Sequence, residues 1–261
     1  MRTAELDQNT PTTVVPRRPE KQRGKWVGAF LYLLLFFLWI FFFDDATAAL
    51  SPWLPKRLAL QMRTPLYMLA WQHFFIVAVA TTLAVITALV LGSLVHLSRS
   101  IELKSMVLSA SAIGETVPSA AVIALAVPIL GYGNLPSMLA LYLYAILPVV
   151  RNVIAGMETI SPNVREAGVG MGMTRFQQFM QLDIPLAAPI ILTGIRTALV
   201  INVSVATIGA TVGAGGFGVP IIAGIRVYDP LMVLQGSVPV ILMAMFADKI
   251  LRLHTSEEEK L

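Results

Sequence analysis

Cysteine is absent from the 261 residues, which excludes disulfides, thiolate metal sites and thiol nucleophiles. Charge is scarce too. Lys, Arg, Asp and Glu make up 13% of the chain, where a soluble domain carries about one-quarter. So few charges cannot cover a water-facing surface, and hydrocarbon has to face much of the protein. Histidine occurs only at His73, His96 and His254, without the spacing of a metal site. There is no G-x-x-x-x-G-K-[ST] run and hence no phosphate-binding loop of that kind. No catalytic residue and no metal ligand is assigned.

What the sequence has instead is apolar length. Hydrophobic residues form 56% of it and the mean hydropathy is +0.75. A helical crossing needs about 20 apolar residues, and the chain divides into six such stretches with short connections. Residues 1–25 lack periodicity and read as a disordered tail. The first span covers 26–43, and its length and long charged lead exceed those of a signal peptide despite the cleavage-like Ala46-Thr47-Ala48. An external loop follows at 44–70, with Pro52, Pro55 and Pro65. Within a five-helix core at 71–251, the spans fall near 73–95, 106–130, 137–150, 186–212 and 231–251. A solvated tail closes the chain at 252–261. The fold class is an all-α polytopic membrane protein.

Six crossings place both termini on one side of the bilayer. With the amino terminus inside, the inner segments hold fourteen Lys and Arg against four in the outer loops, and Arg196 lies within the fifth span. This bias predicts a multi-pass protein of the bacterial inner membrane with both termini cytoplasmic. The basic tail has no aromatic interleaving and abuts a span, so it reads as a topology signal, with no nucleic-acid partner.

The longest polar interval inside the apolar region, 151–185, then faces the cytoplasm. Ser161-Pro162-Asn163 is a helix-start signal, with Glu166 soon after, where an acid suits a helix amino end. Small residues at 167, 168, 170 and 172 leave room for another surface to approach the backbone. Pro185 suits the first turn of the next helix, which needs no amide donor.

This interval resembles the cytoplasmic loop of ATP-binding-cassette importer permeases, whose pattern is E-A-A, three residues, G, nine residues, I-x-L-P. Glu166, Ala167 and Gly168 match with one Ala-to-Gly change, Gly172 follows in place, and Leu182-Asp183-Ile184-Pro185 matches with the aliphatics exchanged. Further segments are similar to permeases for glycine betaine, choline and carnitine: Gly114-Glu115-Thr116-Val117-Pro118-Ser119, Leu147-Pro148-Val149-Val150-Arg151-Asn152, Gly194-Ile195-Arg196-Thr197-Ala198 and Ala206-Thr207-Ile208-Gly209-Ala210. The similarity spans roughly 72–250 and is greatest to osmoprotectant importers that use two non-identical permease chains. The family often has Gln where Glu115 stands, so a role for that carboxylate belongs to this chain alone.

The resemblance implies a type I importer permease fold. Glu166, Ala167, Gly168, Gly172, Leu182, Ile184 and Pro185 would form or frame a coupling helix that docks on an ATPase. It further implies an ATPase subunit dimer that carries the ATP and magnesium, a second permease chain and a periplasmic substrate-binding protein. The chain itself needs no cofactor. The substrate class would be osmoprotectants. An importer of another small solute such as an amino acid, or an ATP-independent secondary transporter, is the alternative.

Two charges fall inside spans. Glu115 lies 11 residues past Lys104 and Arg196 lies 11 past Pro185, which puts each roughly 16 Å from the inner face at 1.5 Å per residue. A lone charge there costs at least about 2.5–3.5 kcal/mol, so each should pair or face the protein interior. Two readings stand: a carboxylate in the translocation path, or a Glu115–Arg196 pair (or Arg196 on carbonyls) holding helices together. Asn202 either lines the path or bridges helices. Gly213-Ala214-Gly215-Gly216-Phe217-Gly218 satisfies G-x-G-x-x-G, but it follows an apolar helix and no strand, so it reads as a turn or a close-packing site. Trp26, Trp39, Trp53 and Trp71 read as interface anchors.

Overall fold

The computed structural model describes residues 23–50 and 64–258, with side chains for 26–49 and 64–253. Most of the expected amino-terminal tail and outer loop lies outside the described residues. Helix α1 (Arg23–Leu50) and helix α2 (Leu66–Ser98) are both longer than the apolar runs that predict them. Asp44 and Asp45 continue α1, and α2 begins immediately after Pro65, at residues expected in the loop. The remaining helices are α3 (Ile101–Thr116), α4 (Ser119–Leu130), α5 (Asn134–Glu158), α6 (Pro162–Gly170), α7 (Arg175–Gln178), α8 (Ile184–Val205), α9 (Gly218–Val227) and α10 (Pro230–Glu258). A wide π turn (Phe179–Asp183) leads into α8, and a tighter 3-10 stretch (Ala206–Val212) prolongs it. No strand occurs among the described residues.

The sequence suggests one straight third span over 106–130, and the structure corrects this. The segment is two helices, α3 and α4, bent by 92° at Val117-Pro118. Proline lacks the amide that would continue the ladder, and its ring drives the preceding residue out of the helical region. Val117 is accordingly extended, at φ −82° and ψ 128°. Its carbonyl, lost to the helix, accepts a hydrogen bond from the Tyr144 hydroxyl. Helix α9 was not expected from the sequence at all. The turn before it uses Gly213, Gly215 and Gly216, all at positive φ, where a side chain would be strained.

Helix α5 is the axis of the bundle. It packs most extensively against α2 on one side and α8 on the other, while α3 and α4 also lean on it. Close approach depends on small residues. Ala80, Ala84 and Ala88 recur every four residues on α2 and are fully buried, and Gly92 extends the row until a Cβ there would strike Val153 at 2.4 Å. Such spacing lets helix backbones meet in a membrane, where apolar burial alone does not bring helices together. The opposite face of α2, with Leu83, Ile86, Val90 and Leu94, is exposed. A helix apolar all round yet buried on one stripe has lipid on the other side. Helix α1 rests chiefly on α10, through contacts such as Trp39 Nε1 donating to the Gln235 carbonyl at 3.3 Å.

Gly194 marks the α5–α8 contact. A Cβ on it would lie 2.6 Å from Asn152 Cβ and 2.8 Å from the Pro148 carbonyl oxygen, and a backbone oxygen cannot rotate aside. Gly194→Ala is expected to part the two helices at a cost of about 1–3 kcal/mol. Thermal unfolding of purified protein in detergent checks this, with Gly170→Ala as the control because nothing lies within 4 Å of that position. Equal melting of the two variants contradicts the contact.

Candidate functional site

Between the long helices α5 and α8 the chain leaves the bundle and returns. In the turn that follows helix α6, Gly172 takes φ +79°, and the Met173 amide bonds back to the Gly168 carbonyl at 3.0 Å, a closure that needs a residue tolerant of the left-handed region. Thr174 then restarts the chain. Its hydroxyl accepts from the Gln177 amide at 3.3 Å while the Gln177 side chain accepts from the Thr174 amide at 2.8 Å, a reciprocal cap. Within this loop Gly168 is buried and Leu182 lies over it, 2.9 Å from where a Cβ would stand. Glu166, Ala167 and Gly172 are exposed, Leu182 and Ile184 half-buried, and Pro185 sits in the first turn of α8. Val169, Met171, Phe176 and Met180 expose large apolar side chains on the same loop.

Under this surface lies an ionic cluster that the sequence did not disclose. Asp183 is buried. One of its oxygens accepts from Arg165 Nε at 3.0 Å and the other contacts His96 Nε2 at 2.9 Å. Arg165 also donates through Nη2 to the Met157 carbonyl at 2.8 Å, one of the last-turn carbonyls that the end of α5 leaves without a helical partner. Lys104 and Glu158 pair nearby at 2.6 Å.

The two charges within the spans are not joined to each other. The expected Glu115–Arg196 pair is absent: Arg196 Nε lies 3.2 Å from Asp248 Oδ1, and Arg252 Nη2 approaches the other Asp248 oxygen at 3.4 Å. Asp248 sits inside an apolar run, without a local pattern to mark it as a partner. Glu115 is exposed at the end of α3, with no ion pair to it among the described residues. Asn202 is fully buried, and its amide donates to Thr81 Oγ1 on α2 at 2.8 Å.

Residues 88–256 match the family model described as the binding-protein-dependent transport system inner membrane component. The chain belongs to this family. It is thus the permease subunit of an ATP-binding-cassette importer. The permease is 37% identical over 180 residues to the glycine betaine/carnitine/choline transport system permease protein OpuCB of Bacillus subtilis, covering 69% of this chain and 82% of that one. It is 39% identical over 188 residues to the osmoprotectant import permease protein OsmW of Salmonella typhimurium, covering 70% and 86%. Among solved structures, an inward-facing methionine transporter MetNI superposes with a TM-score of 0.62 at 22% identity, over 73% of the permease and 98% of that chain. That likeness supports the type I importer permease fold.

Removing the partner of Arg196 should cost more than removing the pair, because a lone charge is left without a partner. Asp248→Ala is expected to destabilise the permease by about 1–3 kcal/mol, and Arg196→Met added to it should recover much of the loss. Thermal unfolding in detergent measures both. A double variant no more stable than Asp248→Ala contradicts the pairing.

Proposed function

We propose that the permease imports osmoprotectants (glycine betaine, choline or related quaternary amines) by alternating access driven by a separate ATPase. The observation that carries the substrate class is the set of relatives at 36–39% identity named for glycine betaine, carnitine, choline or osmoprotectant transport. In this reading the ATPase dimer holds ATP and magnesium and grips the loop 162–183 from the cytoplasm. A periplasmic binding protein delivers the solute, and a second permease chain, identical or homologous, completes the path. Both termini lie in the cytoplasm, on the side favoured by the fourteen basic residues against four.

The loop is suited to being gripped. Exposed Met171 and Phe176 lie on either side of the turn at Gly172, and a cluster of large apolar side chains open to water marks a protein-binding surface. Glu166 stands exposed at the start of this surface. Within the bilayer, Glu115 is a path residue: it is exposed on α3, has no ion pair among the described residues, and offers a carboxylate to a quaternary ammonium group. Arg196 and Asn202 hold helices together through Asp248 and Thr81.

Glu166→Arg is expected to insert normally and to lower ATP-driven uptake in proteoliposomes about tenfold, the equivalent of about 1.4 kcal/mol of coupling. Unchanged uptake counts against the docking role. Failure of any ATPase to copurify with the unaltered permease, with uptake indifferent to ATP, favours a secondary transporter. Glu115→Gln should depress uptake of cationic choline several-fold more than that of zwitterionic glycine betaine. Equal effects on the two solutes remove Glu115 from the path.

A further inference from the structure

Helix α6 packs extensively on no other described helix. It is held by its chain connections, by the contact of Gly168 with Leu182, and by Arg165. A hollow of about 710 Å³ opens beside it, walled by Val95 and His96 of α2, Lys104 of α3, Ile154 and Glu158 of α5, and Arg165. Side-chain packing therefore does not bridge α6 to the ends of α2 and α5 across this space. The polar contacts do. Asp183 spends one oxygen on Arg165 of α6 and the other on His96 of α2, while Arg165 reaches the end of α5 through the Met157 carbonyl. Asp183 itself closes the π turn from which α8 starts.

We infer that Asp183, with Arg165 and His96, is the joint that carries displacement of the ATPase-gripped helix α6 to α2, α5 and α8. This rests on the reading of α6 as the docking helix. The warrant is the burial of the carboxylate and its two-sided bonding. A buried charge with both oxygens engaged resists separation from its partners, since parting them leaves a charge without compensation in a low dielectric. Arg165 supplies a planar fork that fixes direction as well as distance. A push on α6 thus reaches three long helices together, although α6 packs extensively on none of them. Asp183 is a positioning residue. It meets neither solute nor nucleotide.

The test uses the complete transporter, with its ATPase and binding protein, reconstituted in proteoliposomes. Solute moved per ATP hydrolysed is read alongside the amount of ATPase that copurifies. Asp183→Asn and Arg165→Gln are each expected to lower solute per ATP by a factor of ten or more while the complex still copurifies. The double variant should be no worse than the poorer single one, because both remove the same link. A ratio within twofold of the unaltered permease overturns the inference. So does a fall in uptake matched by an equal fall in assembled complex, which marks a role in stability alone. If Asp183→Asn fails to insert, Arg165→Lys and His96→Gln keep donors at the site but alter its fork and its ring, and an unchanged ratio in both overturns it equally. Absence of ATPase association in the unaltered permease strikes the docking reading, whereas normal association with an unchanged ratio strikes only the joint.

Discussion

Hydrocarbon offers no hydrogen bonds, so every backbone amide and carbonyl within it must find a partner inside the chain. The architecture follows from that requirement. It makes the spans helical and forces each departure from a helix to be answered locally. Where Pro118 breaks α3 from α4, the Tyr144 hydroxyl takes up the freed Val117 carbonyl. Where α5 stops, Arg165 takes up the Met157 carbonyl. Polar side chains face the same demand, and Asn152 and Thr193 meet it by donating back to the Pro148 and Pro189 carbonyls, one turn before them in their own helices.

The same medium explains why small residues set the tight contacts. Apolar area gains little by moving from lipid to a helix interface, so association depends on how closely backbones can come. The row Ala80, Ala84, Ala88 and Gly92 on α2, and Gly194 on α8, bring both helices against α5. Charges obey a related rule. Arg196, Lys104, Arg165 and Asp183 each have an opposite charge within 4 Å; the Arg196 and Lys104 pairs tie together helices remote in sequence, and the Arg165–Asp183 pair closes the loop on itself.

The sequence disclosed what is local. Apolar length marked the spans, Pro185 marked the start of α8, and five anchors from Glu166 to Pro185 identified the loop on which the family assignment turned. Val117-Pro118 also carried its signal openly, since the residue before proline avoids the helical region, but an unbroken apolar run masked it. The remainder depended on partners far apart in the chain. His96 and Asp183 are separated by 87 residues, and Asp183 stood at the variable position of the loop pattern, where its burial left no periodic trace. The partner of Arg196 eluded reading for the same reason. Periodicity reveals which face of a helix is buried, and it cannot say which other helix lies there.

Helix α1 rests chiefly on α10, near the other end of the chain. Its aromatic Phe36 also meets Phe217, which follows α8. Translation runs from the amino end, so α1 is made well before the helix on which it chiefly rests. Its seat against α10 can close only after the residues between the two have been synthesised, which makes this contact a late one whatever α1 meets on α2 beforehand.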